Sequence, residues 1–167
     1  DRDSHVAYDA DSNERALRAR SLKLAALQKT LAPPPVVGDA TGDLLVIGWG
    51  STKGAIEEAV GSLRAEGRKV SSMHLRFLQP LPPGLKEIMR GFEQVMTIES
   101  NWSDRPEDAI IDDSNRRYSA LAMLLRARYL VDVDCFSEVR GQPIRPSTIR
   151  RAVSEKLARV PGKVATP

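Results

Sequence analysis

Cysteine is all but missing from this chain of 167 residues: Cys135 stands alone, inside the apolar stretch "YLVDVDCF". One thiol builds neither a disulfide framework nor a Cys-based metal site, and it fits a reduced compartment, the cytoplasm. Aromatic residues are only 5% of the chain and do not interleave with its basic residues, and zinc-finger and RNA-recognition signatures are missing too, so no nucleic-acid partner is expected. No apolar run approaches the roughly 20 residues that cross a bilayer, so no membrane association is expected. The opening "DRDSHVAYDADSNER" is polar and acidic where a secretory signal needs a basic start and an apolar core; the expectation is a chain that is not exported. It starts with Asp1 rather than Met, and reads as a piece of something longer.

What is present suits one globular domain with an arm: 41% hydrophobic and 28% charged residues in a length that closes one core but hardly two. From Arg140 onward seven Lys or Arg stand against Glu155 alone, so the remainder of this +3 chain is slightly acidic. The basic end reads as a surface or docking helix.

Residues 1–32 form the arm, in which "SNERALRARSLKLAALQKTL" predicts an amphipathic helix over 13–31, capped by Ser12 or Asn13. Its stripe of Leu17, Leu24, Leu27 and Leu31 is thin and needs a partner surface. Prolines and glycines make 33–42 a linker. From Asp43 to 160 strands and helices alternate. "DLLVIGW" has the continuous apolar character of a strand buried on both faces, and "STKGAIEEAVGSLRAEG" is a helix capped by Ser51 or Thr52 and ended by Gly67. "KVSSMHLRFL", "QVMTIES" and "LVDVDCFSEV" read as further strands. "PPGLKEIMRGF", "SNRRYSALAMLLRARY" and "PSTIRRAVSEKLARV" read as helices, the last capped by Ser147, and 161–167 is a tail. The pattern predicts an α/β three-layer sandwich, a mostly parallel sheet of four to five strands with helices on both faces.

The turn after the first strand, Gly50, Ser51 and Thr52, lies at a helix N-terminus and is suited to an anion. Its spacing is wrong for the established motifs. Gly48, Gly50 and Gly54 are one residue too long for the dinucleotide fingerprint, and Lys53 does not complete a phosphate-binding loop. The simpler reading is that the glycines let helix and sheet pack closely. Glu99 and Asn101 end the third strand, where open α/β sheets place ligands, although Glu99 also suits a helix cap or a pair with Arg126. His74 reads as a structural histidine and His5 as a surface residue. The acidic insertion 104–115 lacks the spacing and turn glycine of a calcium loop. Arg140, beside a tight turn at Gly141, is an exposed arginine available to a partner.

Taken in order, "DLLVIGWGSTKGAIEEAV", "HLRFLQPLP", "TIESN", "LAMLLRARY" and "EVRGQPIRPSTI" resemble the C-terminal domain of the alpha subunit of 2-oxoacid:ferredoxin oxidoreductases, especially the 2-oxoglutarate type, over nearly the whole chain. The arm resembles that subunit's connecting segment. The resemblance implies a transketolase C-terminal-like sheet with one antiparallel edge strand. It implies membership in a thiamine diphosphate enzyme that decarboxylates a 2-oxoacid, reduces ferredoxin through iron-sulfur clusters and forms acyl-CoA and CO2 with coenzyme A. The thiamine, magnesium and cluster ligands then lie in the beta subunit and the rest of the alpha subunit, which become this chain's partners, and the piece alone is inactive, with no catalytic, cofactor or metal residue of its own. Where relatives run quickly from E-x-N into Gly-Gln-Leu, this chain has the acidic insertion and Tyr118-Ser119-Ala120-Leu121. Gly50, Ser51, Thr52, Glu99, Asn101 and Arg140 remain candidate anion or interface contacts. The alternatives are a free-standing α/β domain that binds an anion or nucleotide at Gly50–Thr52, and a domain of related thiamine enzymes such as transketolases or pyruvate dehydrogenases.

Overall fold

In the computed structural model, which describes residues 5–159, the first helix starts earlier than expected. Asp9, not Ser12 or Asn13, caps α1 (Ala10–Gln28): its Oδ1 accepts the Ser12 N–H at 2.7 Å, so the short acidic side chain satisfies a first-turn amide. No residue of α1 is buried; Leu17 is 53% and Leu27 38% exposed. With residues 77–83, the arm to Pro33 makes a compact unit in which Gln28 Nε2 donates to the Leu81 carbonyl at 2.8 Å.

The second unit, residues 34–76 and 84 onward, holds the sheet. The stretch read as linker contributes a strand, β1 (Val36–Val37), too short to show a period and preceded by prolines that hide it. β1 pairs antiparallel with β3 (Val70–Leu75); β2 (Gly42–Trp49), β4 (Phe92–Glu99) and β5 (Asp134–Ser137) are parallel to β3, in the order β1-β3-β2-β4-β5. β2 lies at the centre. Its Leu44, Leu45, Val46 and Ile47 are all buried, as a strand covered on both faces requires.

Alternation sorts these side chains into two cores. Leu44, Val46, Val70, Met96 and Ile98 meet Ile56, Val60 and Leu63 of α2 (Lys53–Ala65) and Ile149, Val153 and Leu157 of α5 (Pro146–Leu157). The other face carries Leu45, Ile47, Met73 and Val95, on the side of α3 (Leu85–Arg90) and α4 (Ala120–Tyr129), both packed on β4. This unit is the expected three-layer α/β sandwich.

Four local expectations shift. A 3-10 turn, Gly50–Thr52, precedes α2, and Thr52 stands at the cap position without a capping bond; its Oγ1 donates backward to the Trp49 carbonyl at 2.9 Å. Arg145, not Ser147, precedes α5, because Pro146 takes the first helical position, where a missing N–H costs nothing. β5 covers only the middle of 130–139. α4 starts at Ala120 rather than near 114, since Asp112 ties the Ser114 N–H and hydroxyl into a local turn. The tail 161–167, with residue 160 of the last segment, lies outside the described residues. Among the described residues no helix is long and apolar enough to cross a membrane.

Gly61 sits mid-α2 on the exposed face, and a Cβ added there meets nothing within 4 Å. Gly61→Ala is therefore expected to raise stability by about 0.5–1 kcal/mol, read as a higher urea midpoint at unchanged slope.

Candidate functional site

The chain leaves β2, crosses through α2 to β3 on one side, and returns through α3 to β4 on the other. The connections after β2 and β4 therefore diverge at the sheet's C-terminal edge, the topological switch point where such folds open a crevice. A cleft of about 350 Å³ lies there, lined by Ser51, Thr52, Ala55, Ser100 and residues 138–144. It brings together three of the candidates named above, Ser51, Thr52 and Arg140. Arg140 is 74% exposed at its side chain and pairs with Glu138 at 3.4 Å. Gly50 and Asn101 are not among the lining residues.

The elbow glycines divide by role. A Cβ on Gly48 would sit 2.3 Å from Ile56 Cδ1 and 2.7 Å from Thr52 Oγ1, so this position lets α2 approach the sheet. Gly50, at φ 61°, takes the left-handed conformation that turns the chain out of β2. Around Gly54 there is open space.

Glu99, at the end of β4, is fully buried, and both of its oxygens are occupied. Oε1 accepts from Thr97 Oγ1 (2.8 Å), Ser119 Oγ (2.5 Å) and the Ala122 N–H (3.1 Å). Oε2 accepts from the Leu121 N–H (2.9 Å) and Asn101 Nδ2 (3.1 Å). The carboxylate thus caps α4 from another element, its charge against the positive end of that helix. It makes no pair with Arg126, which bonds Asp132 and the Val133 carbonyl. Asn101 links the two strand ends, holding Glu99 with its amide and accepting the Ser137 hydroxyl at its carbonyl.

His74 is half-buried on β3 with Nδ1 unpartnered; burial, aided by the Lys53 charge, holds its pKa below the ordinary histidine value. The acidic insertion is closed at its neck. Arg117 grips Asp104 through Nε and Nη2, each at 2.9 Å, while the Arg117 N–H donates to Asp104 Oδ2 and the Asp104 N–H to the Arg117 carbonyl. The guanidinium bonds, followed by the amide bond, hold the Asp104 carboxyl well below the usual carboxylate range. A carboxyl depressed on folding stabilises above its unfolded pKa and loses that contribution as pH falls through the folded value. The neck should therefore stay closed at neutral pH and loosen only below about pH 4, the ordinary carboxylate range. Asp104→Asn should open it at pH 7, read as faster cleavage at Glu107 by a Glu-specific protease. Among the described residues no group of three or more His, Cys, Asp or Glu is placed to hold a metal ion.

Sequence reasoning passed over Ser100, a cleft residue, and Arg116, whose guanidinium reaches Asp134 at 3.0 Å and the Cys135 carbonyl at 3.4 Å. The Arg116-Arg117 pair directly after the insertion was the available signal: two cations at a loop's end, next to strand carboxylates.

Residues 42–149, which carry the sheet from β2 to β5 and the switch-point cleft, match a family model described as pyruvate:ferredoxin oxidoreductase core domain II. The chain belongs to this family. Core domain II relatives include the 2-oxoglutarate oxidoreductase subunit KorA of Mycobacterium tuberculosis, 34% identical over 92% of this chain and 21% of that protein. Another is the 2-oxoacid:ferredoxin oxidoreductase subunit alpha of Saccharolobus solfataricus, 30% identical over 58% of this chain and 16% of that protein. The chain thus spans about a fifth of the length of these relatives. Among solved structures, the 2-oxoglutarate:ferredoxin oxidoreductase of Magnetococcus marinus, with 2-oxoglutarate, coenzyme A and succinyl-CoA bound, superposes with a TM-score of 0.71 at 25% identity, over 90% of this chain and 24% of that one. A split-gene transketolase shares the fold, with a TM-score of 0.51 at 22% identity over 77% of this chain and 43% of that one.

Proposed function

We propose that this core domain II is the assembly domain of the alpha subunit of a thiamine diphosphate-dependent 2-oxoacid:ferredoxin oxidoreductase acting on 2-oxoglutarate in the cytoplasm. The observation that carries this reading is Glu99: the carboxylate at the sheet's functional edge directs all its bonds inward, to α4 and two neighbouring strand-end residues. A group so engaged holds a surface in shape and has no lone pair left to work on a substrate.

The residues fit neither of the parent's expected cofactors. Protein-bound magnesium is held through one or two carboxylates, whereas the one carboxylate lining the cleft, Glu138, is already paired with Arg140. An iron-sulfur cluster needs four thiolates, and the chain has one cysteine, held under Ser119 and Arg116. The thiamine diphosphate, magnesium and clusters belong, on this reading, to the beta subunit and the rest of the alpha subunit, with coenzyme A and ferredoxin meeting the assembled complex.

Affinity capture of the tagged chain from its source cells, followed by native mass spectrometry, tests this. A thiamine-binding beta subunit is expected in the recovered complex, and calorimetric titration of the isolated chain with thiamine diphosphate and magnesium is expected to give no heat of binding. Stoichiometric binding by the chain alone would refute the proposal. The cleft favours one second reading, an anion or nucleotide held at Ser51 and Thr52; there Ser51→Ala would weaken binding of a phosphorylated ligand, whereas an assembly domain shows no such binding to weaken.

A further inference from the structure

β5 is the last strand in the sheet and has β4 on one side only. The Glu138 N–H donates to the Glu99 carbonyl of β4. Backbone groups of successive residues turn to opposite sides of a strand, so Asp134 and Phe136 also face β4, while Val133, Cys135 and Ser137 face outward. A groove of about 270 Å³ runs beside them, bordered by Asp134, Cys135, Phe136 and Ser137. Such an edge is a template for another strand. The opposite edge, β1, is two residues long and offers little to pair with.

The outward groups of Cys135, and the Val133 carbonyl just before β5, are nevertheless taken. Arg126 Nη1 donates to the Val133 carbonyl at 2.9 Å, and Arg116 Nη2 to the Cys135 carbonyl at 3.4 Å. The Cys135 N–H donates to Asp134 Oδ1 at 2.8 Å. Tyr118 lies between the two guanidiniums, with its ring centroid 4.5 Å from Arg116 and 4.3 Å from Arg126. Each guanidinium also meets an acid, Arg116 through its other terminal nitrogen, Nη1, to Asp134, and Arg126 through the same Nη1 to Asp132. Arginine suits this work because its plane stacks on an aromatic ring while its fork bonds a carbonyl and a carboxylate together.

We propose that the Arg126–Tyr118–Arg116 ladder closes this sheet edge against pairing with β5 of a second copy. An incoming strand could not pair along Val133 and Cys135 without displacing two charge-assisted bonds and a doubly stacked ring. The ladder is supplied by the segment that follows the acidic insertion and by α4, which assigns residues 116–118 a task unrelated to ligands. Assembly of the chain with other subunits then proceeds through surfaces other than this edge.

The test is sedimentation equilibrium of the full chain against Arg116→Met/Arg126→Met, with hydrogen exchange at the β5 amides. The double variant is expected to self-associate at least about tenfold more tightly, with the Cys135 and Ser137 amides gaining protection as it does. Arg116→Lys/Arg126→Lys keeps both charges and so guards against a variant that fails to fold; an ammonium cannot stack and bond the strand at once, and association should again tighten. Adding Ser137→Pro, which removes an outward N–H, should return either variant to the parent's association. Unchanged association in whichever variant folds, or association that survives Ser137→Pro, overturns the proposal.

Discussion

Glu99→Gln is expected to lower folding stability by about 3–5 kcal/mol, more than any surface change in the molecule. The carboxylate accepts five hydrogen bonds in full burial. Three donors, the Thr97 and Ser119 hydroxyls and the Asn101 amide, can reorient. The Leu121 and Ala122 amides cannot, because the helix fixes them. Glutamine offers one oxygen and an NH2, so one amide would face a donor, and the negative charge at the α4 N-terminus would also be lost. Urea denaturation of the two proteins measures the difference, and exchange at Leu121 and Ala122 should rise first. A loss below about 1 kcal/mol, the ordinary worth of one hydrogen bond, would mean that α4 does not depend on this cap.

Gly48→Val is the second large effect, a loss of about 2–3 kcal/mol, since inserting carbon into a filled core forces side chains or backbone to move. The new Cβ would lie 2.3 Å from Ile56 Cδ1 and 2.7 Å from Thr52 Oγ1. Ile56 is 2% exposed among Leu44, Val60 and Ile149, which leaves its methyl little room to retreat, and Thr52 is held by its bond to Trp49. The N-terminus of α2 would then lift from the sheet. Gly54→Ala, six residues further on at the start of α2 and in open space, serves as the control and should cost nothing. Calorimetric midpoints for the pair separate a glycine required by packing from one that is merely tolerated. Equal effects would mean that close helix–sheet approach is not why Gly48 is there.

These two positions show how far the primary structure can be read. The run Leu44–Ile47 announces a doubly covered strand, and the spacing of Ile56, Ala59, Val60 and Leu63 announces the helix behind it, because burial on one face repeats with the element's own period. Glu99 is visible as an acid at a strand end. Its partners at α4 are not, for Ser119, Leu121 and Ala122 lie 20 to 23 residues further on and reach it only when α4 packs on β4. β1 escaped for the opposite reason: two residues carry no period, and its pairing with Ser72 and Met73 is a tertiary event.

Local chemistry, then, determined the α/β class, the order of strands and helices, and the elbow after β2, since each depends on neighbours a few residues apart. Only the tertiary structure decided which strand stands at the edge, that Ser51, Thr52, Ser100 and Arg140 share a cleft, and that Arg116 and Arg126 meet across one tyrosine. The reason is physical: parallel strands are joined through helices, so groups that end side by side in the sheet are separated along the chain by a whole crossover, and no periodicity spans that distance.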